Sequence, residues 1–86
     1  METSRQFFLK FAPKNLKNLG VDIKRKDIKS LKTQEIKILM DDYSIAYANK
    51  VKITLKNNTI IYFDHVPETT ASGKYVIKNL ILKFNE

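Results

Sequence analysis

The segment EIKILMDDYSIAYANKVKITLKNNTIIYFD, residues 35–64, determines the predicted fold. Apolar residues recur at every second position through much of it, which is typical of β-strands that bury one face. Short polar stretches interrupt this alternation three times, and such stretches commonly join antiparallel strands. The pattern therefore predicts a curled antiparallel β-meander with strands at 35–40, 43–48, 51–56 and 59–64.

The three predicted turns agree with one another in register. Two-residue turns at 41–42 and 57–58 and a three-residue turn at 48–50 bring apolar residues into direct opposition on neighbouring strands. Asparagine at the second and third turns tolerates the positive φ that tight turns need. On this register one face collects the following apolar side chains: Ile36, Ile38, Met40, Tyr43, Ile45, Tyr47, Val51, Ile53, Leu55, Ile60 and Tyr62.

A helix over 33–48 is the alternative to the first two strands. Several apolar residues of this segment also follow helical spacing, and Thr33 is a suitable N-cap residue. The β-branched and aromatic residues that dominate 43–63 favour the strands, because such side chains fit a pleated surface.

The N-terminal part of the chain predicts one further strand and some helix. Apolar residues alternate in QFFLKF, which predicts a short strand at 6–11. Pro13 suits the first position of a helix and Gly20 suits the residue after its end. We therefore expect one or two short helices within 13–32.

The C-terminal segment YVIKNLILKF predicts a long strand at 75–84, although its apolar spacing also allows a helix. No linker or repeat divides the chain, so we expect one small basic domain over 1–86. Its predicted class is β-rich α+β. A sheet of five or six such strands can curl into a half-open small barrel of the SH3-like or OB-like kind.

The charge of the chain indicates a polyanionic partner. Its formal net charge is +7, and ten of its sixteen basic residues lie in 1–37, most densely in KRKDIKSLK at 24–32. A concentrated positive field attracts nucleic-acid phosphate or an acidic protein surface. Lysine outnumbers arginine fourteen to two, which favours contact with the backbone over base reading in a duplex. The alternative explanation is compositional drift from an AT-rich coding sequence.

The predicted binding surface combines this basic run with the outer face of the meander. Cations beside an exposed aromatic ring are what a single-strand binder uses, since charge meets phosphate and the ring stacks on a base. The alternative is a solvated basic face with the aromatic ring covered by the C-terminal segment. The candidate residues for nucleic acid or another partner are Lys24, Arg25, Lys26, Lys29, Lys32, Lys37, Lys52 and Phe63.

Catalytic and metal chemistry have few candidate residues. The chain has no cysteine, one histidine and two glycines, so we expect no disulfide, no metal site, no phosphate-binding glycine loop and no cofactor. His65 follows Asp64, but strand neighbours point to opposite faces, so we interpret it as an ordinary loop histidine. No apolar run is long enough to span a bilayer, so we expect no membrane partner and a cytoplasmic location.

These observations favour a non-catalytic binding protein that engages RNA or DNA backbone. The first alternative is a small inhibitor or adaptor, of the phage or mobile-element accessory type, that docks on an acidic protein surface. The exposed edge of the predicted sheet would also allow a homodimer.

A third hypothesis comes from the stretch FLKFAPKNLKNL, residues 8–19, which is similar to the opening strand and helix of ribonuclease toxins related to RelE. That resemblance implies RNA cleavage by scattered basic and aromatic groups, with Arg25 as the catalytic arginine and Tyr75 or His65 as its partner. The arginine-rich later strands of that family are missing from this chain.

Overall fold

The computed structural model describes residues 3–84 of the 86-residue chain. The strands form one antiparallel sheet in the order β1-β2-β3-β4, and an α-helix covers one of its faces. The predicted β-rich α+β class is confirmed, whereas the sheet stays open and does not close into a barrel. The elements are α1 (Ser4–Lys17), a 3-10 turn (Arg25–Asp27), β1 (Ile28–Leu39), β2 (Ile45–Leu55), β3 (Ile60–Pro67) and β4 (Tyr75–Lys83).

The strand predicted at 6–11 is wrong, because these residues belong to α1. Thr3 and Gln6 form a capping box: the Thr3 hydroxyl accepts from the Gln6 N–H at 3.1 Å, and the Gln6 side chain accepts from the Thr3 N–H at 3.0 Å. This box satisfies two backbone donors at the start of the helix. The residues that α1 buries follow helical rather than alternating spacing: Phe8, Leu9, Ala12 and Leu16.

The basic segment 24–32 forms a 3-10 turn and the start of β1 rather than a further α-helix. The three-residue spacing of Ile28 and Leu31 comes from a β-bulge, since the pairing of β1 with β2 shifts between Ile28 and Ser30. An inserted residue lets two strand residues three apart reach the same face. Leu31 lies in the core and Ile28 packs against it.

The strands predicted at 43–48 and 51–56 are one continuous strand, β2, so the predicted turn at 48–50 is wrong. β2 remains paired through this region, where Glu35 lies opposite Asn49 on one side and His65 lies opposite it on the other. Continuous pairing satisfies backbone groups that a turn would leave open. The alternative helix over 33–48 is also wrong, because these residues belong to β1, β2 and the loop between them.

The predicted two-residue turn at 41–42 is wrong, because the loop between β1 and β2 has three residues, 41–43. The Met40 N–H donates to the Ser44 carbonyl at 2.8 Å, and Tyr43 has a φ of 64°. Ile38 therefore opposes Ala46 and not Ile45.

The loop between β2 and β3 is also one residue longer than predicted. Asn58 has a φ of 68°, and the Leu55 N–H donates to the Thr59 carbonyl at 2.9 Å, which makes a three-residue loop. Hairpin loops of three residues commonly end in a left-handed residue. This single added residue moves every later side chain of β3 to the opposite face.

β4 confirms the predicted C-terminal strand, and it too contains a bulge. The pairing with β3 shifts between Tyr62 and Asp64, and Asn79 on β4 has a φ of 56°. Ile77 and Leu80 are therefore three residues apart and both pack against the core. The bulge therefore explains why the apolar residues of 75–84 follow a spacing that is also compatible with a helix.

The core lies between α1 and one face of the sheet. Phe8 from the helix and Phe63 from β3 are each 1% exposed, and their ring centroids are 6.2 Å apart. No helix in residues 3–84 is long and apolar enough to cross a membrane. The remaining buried apolar residues of this core are Leu9, Ala12, Leu16, Ile23, Leu31, Val51, Ile53, Leu55 and Ile61.

Candidate nucleic-acid interface

The sheet face opposite α1, called the open face, carries a row of basic and aromatic side chains. Residues directly opposed on neighbouring strands point to the same face. Lys32 on β1 opposes Lys52 on β2, Lys52 opposes Tyr62 on β3, and Tyr62 opposes Ile81 on β4. A row of two lysines, a tyrosine and an isoleucine thus crosses all four strands.

Tyr62 lies at the centre of this row, between two lysine side chains. The Lys52 ammonium is 5.9 Å from the centroid of the Tyr62 ring, and the Lys83 ammonium is 5.5 Å from it. A cation at this distance is attracted by the ring electrons. Both ammonium groups therefore lie over the Tyr62 ring.

Two open grooves flank Tyr62, with volumes of about 490 and 380 Å³. Both are lined by Lys50 and Tyr62, so the tyrosine forms the ridge between them. The larger groove is further lined by Asp64, Asn79, Ile81 and Lys83, and the smaller one by Lys32, Thr33, Gln34 and Lys52.

The linings of these grooves are strongly positive. They contain four lysines and one carboxylate, Asp64, which accepts a hydrogen bond from the Asn79 amide at 2.9 Å. Within residues 3–84 no carboxylate forms an ion pair with those lysines. Like charges directly opposed on a sheet destabilise it, so a bound anion between Lys32 and Lys52 would relieve a repulsion built into the fold.

The structure separates the residues predicted from sequence. Lys32 and Lys52 lie together on the open face. Phe63 was predicted on that face and is instead in the core, because the longer loop before β3 turns it toward Phe8. The exposed residues Lys24, Arg25, Lys26 and Lys29 lie in the 3-10 turn and at the bulge of β1.

Lys37 is also displaced from its predicted position. It alternates along β1 with Leu31, so it lies on the face that carries α1. Its ammonium is 5.8 Å from the centroid of the Tyr47 ring, its cross-strand partner. Lys37 and Lys52 therefore belong to different faces of the sheet.

Sequence reasoning did not place Tyr62, Lys50 and Lys83 on the open face, where the structure has them. Tyr62 was predicted in the core because the loop after β2 was counted as two residues. Lys50 was placed in a turn that does not exist, and the β4 bulge decides the face of Lys83. The available signal was Asn58, since an asparagine suits the left-handed last position of a three-residue loop.

His65 lies in β3 and not in a loop. It is 8% exposed and its ring stacks on Tyr75, with centroids 4.8 Å apart. Burial lowers the pKa of His65 below its usual value. Arg25 lies at the other end of the sheet, roughly 20 Å away by the rise per strand residue, so it does not complete a catalytic group with His65 and Tyr75.

No group of three metal-binding side chains occurs among residues 3–84. No protein-family model, curated protein or solved structure matches this chain.

Proposed function

We propose that this protein is a non-catalytic binding protein that holds nucleic acid, RNA or DNA, on the open face of its sheet. The observation that carries this proposal is Tyr62, held between the Lys52 and Lys83 ammonium groups and bordered by a groove on each side. A ring with flanking cations provides stacking for a base and charge for its phosphates.

The chemistry of the open face favours single strands over duplex. A base must be unpaired to stack on Tyr62. This residue lies on a sheet, and not on a helix that could enter the major groove of a duplex. The cations are lysines, which contact phosphate as point charges and read little sequence. We expect binding that depends on strand type and salt more than on sequence.

The basic 3-10 turn extends the positive surface at one end of the sheet. The Lys56 N–H donates to the Asp27 carbonyl at 2.9 Å, so this turn lies beside the loop between β2 and β3. The open-face residue Lys83 opposes Ile60, at the start of β3 and therefore near the same end. We expect Lys24, Arg25 and Lys26 to add long-range attraction for the nucleic acid without contacting a base.

We expect the protein to act in the cytoplasm.

The test is fluorescence-anisotropy binding to labelled single- and double-stranded RNA and DNA across about 50 to 300 mM salt. Four contacted phosphates predict a log–log salt slope of about −3 for single strands. Tyr62→Leu should weaken single-strand binding by about tenfold, since stacking on one aromatic contributes roughly 1–3 kcal/mol. Tyr43→Leu is the matched control, because Tyr43 is 84% exposed in the β1–β2 loop. Equal binding by both variants would overturn the proposal.

A second candidate function is docking on an acidic protein surface as an inhibitor or adaptor. The tip of the β1–β2 hairpin favours it, since large apolar residues are exposed there: Leu39, Tyr43, Ile45 and Tyr47. Protein interfaces concentrate their binding energy in a few such residues. Loss of partner capture by Tyr43→Ala, with no loss by Tyr62→Leu, would favour this function over nucleic-acid binding.

β1 is an edge strand of 12 residues, so a homodimer that forms through this strand stays a prediction.

A further inference from the structure

A third groove, of about 440 Å³, lies between the N-terminal end of α1 and the sheet. It shares no lining residue with the two grooves beside Tyr62. Its lining is aromatic and polar and includes Phe7, Glu35, Tyr47, Asn49, His65 and Tyr75. It lies on the face that carries α1, so it is independent of the open face.

A polar row crosses the floor of this groove. Glu35 on β1 opposes Asn49 on β2, and Asn49 opposes His65 on β3. Neighbouring strands lie about 4.8 Å apart, so the backbones at Glu35 and His65 are separated by about 10 Å. A carboxylate that only accepts hydrogen bonds therefore stands at one end, with an amide and an imidazole along the row.

His65 is the sign that this groove receives a ligand. Its side chain is more than nine-tenths buried, yet no residue in 3–84 hydrogen-bonds to its ring. Among residues 3–84 no fully buried side-chain nitrogen lacks a partner, so the unpaired ring nitrogens retain some contact with solvent, and the residue lines this groove. Stacking on Tyr75 at 4.8 Å and edge contact with Phe11 at 4.7 Å hold the ring in place. Because burial lowers its pKa, the neutral ring offers one donor and one acceptor.

The surrounding charges exclude two kinds of ligand. The Lys37 ammonium already lies over the Tyr47 ring, so an organic cation would be repelled there. The Glu35 carboxylate would repel an anion from the floor of the groove. A neutral planar ring is compatible with both charges, because it can stack on the exposed ring of Tyr75 and present N–H donors to Glu35.

We propose that this groove binds a guanine base. Guanine presents two adjacent N–H donors, at N1 and N2, which match the two oxygens of the Glu35 carboxylate, and its O6 and N7 accept from Asn49 and His65. Adenine, cytosine and uracil lack that pair of adjacent donors. Lys37, on the same face of β1 two residues from Glu35, is placed to meet the phosphate of a guanine nucleotide.

The test uses the single histidine of the chain as its reporter. Proton NMR should show the His65 ring signals shift on addition of 5′-GMP at roughly millimolar concentration, with much smaller shifts for AMP, CMP and UMP. Glu35→Gln should weaken GMP binding by at least about tenfold, since it removes one of two charge-assisted acceptors. Glu35 is exposed, so this variant should fold. Lys52→Gln, on the open face, should leave GMP binding unchanged.

Equal affinity for all four nucleotides, unchanged guanine binding by Glu35→Gln, or no shift of the His65 signals with either GMP or an oligonucleotide that carries one unpaired guanine would overturn this proposal. Two oligonucleotides separate it from the function of the open face. Oligo-uridine binding should fall in Lys52→Gln and persist in Glu35→Gln, whereas Glu35→Gln should remove only the extra affinity for an oligonucleotide with one unpaired guanine. Binding of that oligonucleotide but not of free GMP would assign the groove to guanine within RNA; the reverse would assign it to a free nucleotide.

Discussion

Lys32 and Lys52 face each other directly across β1 and β2, on the side of the sheet that α1 leaves uncovered. Two like charges in this position repel, and no carboxylate within residues 3–84 pairs with either of them. The fold therefore maintains a local repulsion next to Tyr62. Under the proposed function, the phosphate of a bound strand would lie between the two ammonium groups and relieve this repulsion.

Neutralising one member of this pair should affect binding and stability in opposite directions. Lys32→Gln should reduce the magnitude of the salt slope for single-stranded nucleic acid by about 0.7, since one phosphate contact is lost. The same variant should raise the free energy of unfolding by a few tenths of a kcal/mol, because the repulsion from Lys52 is removed. Salt-dependent anisotropy and urea denaturation measure the two effects. Lys74→Gln, in the exposed β3–β4 loop, should change neither; a slope unaltered by Lys32→Gln would contradict the interface.

Replacing Phe63 should reduce stability and not affinity. Phe63→Ala should lower the free energy of unfolding by about 3–5 kcal/mol, since it opens a cavity against Phe8. Phe63→Leu keeps most of the volume and should give a folded protein that binds oligo-uridine as the wild type does. Circular dichroism during denaturation and anisotropy check the two statements. Loss of oligo-uridine binding by a folded Phe63→Leu variant would contradict this prediction and indicate that Phe63 contributes to binding.

Acid should destabilise the protein through His65. The unfolded chain binds a proton near pH 6.5, whereas burial keeps the pKa of His65 in the fold below that value. The unfolded state therefore binds more protons in this window, so the free energy of unfolding falls as the pH drops below about 6.5 and levels off below the folded pKa.

Two measurements check this pH dependence. Urea denaturation between about pH 7.5 and 5 gives the slope of stability, and NMR titration of the single histidine gives its folded pKa directly. The dependence of the free energy of unfolding on pH between about pH 7.5 and 5 should disappear in the His65→Gln variant. A folded pKa at or above 6.5 in the wild type would refute the prediction even if that variant does not fold.

The β2–β3 loop should depend on the left-handed backbone of Asn58, whose φ is 68°. Asn58→Ala should destabilise the protein by about 1 kcal/mol, because a residue with a Cβ and no local hydrogen-bonding group is strained in this region. Asn58→Gly should be close to neutral, since glycine adopts positive φ freely. Thermal unfolding of the two variants measures the difference. Equal melting temperatures would mean that the loop does not require the left-handed residue.

Local pattern was enough to predict a meander but not its register. The alternation in 35–64 correctly indicated antiparallel strands, and Tyr75–Lys83 is a strand as predicted. The loop after β2 has three residues where two were counted, and this one residue exchanges the faces of Tyr62 and Phe63. Of the residues predicted to form the site, Lys32 and Lys52 lie together on the open face, whereas Phe63 lies in the core and its neighbour Tyr62 takes the place on the open face.

Two bulges account for the segments in which helical spacing was misleading. Ile28 and Leu31, like Ile77 and Leu80, are three residues apart and approach the same core. A strand reaches this spacing only by inserting an unpaired residue, which the register shifts in β1 and β4 record. Periodicity in a short segment cannot distinguish such a bulge from a turn of helix.

The sequence by itself determined the class of the domain and its excess of lysine, because these follow from composition and local alternation. Only the tertiary structure decided which residues share a face. Pairing across strands and packing under α1 placed Phe63 inside, Tyr62 between lysines, and Glu35 in line with His65. The face on which each side chain lies depends on contacts between residues far apart in the chain, and a register shift of one residue moves it to the opposite face.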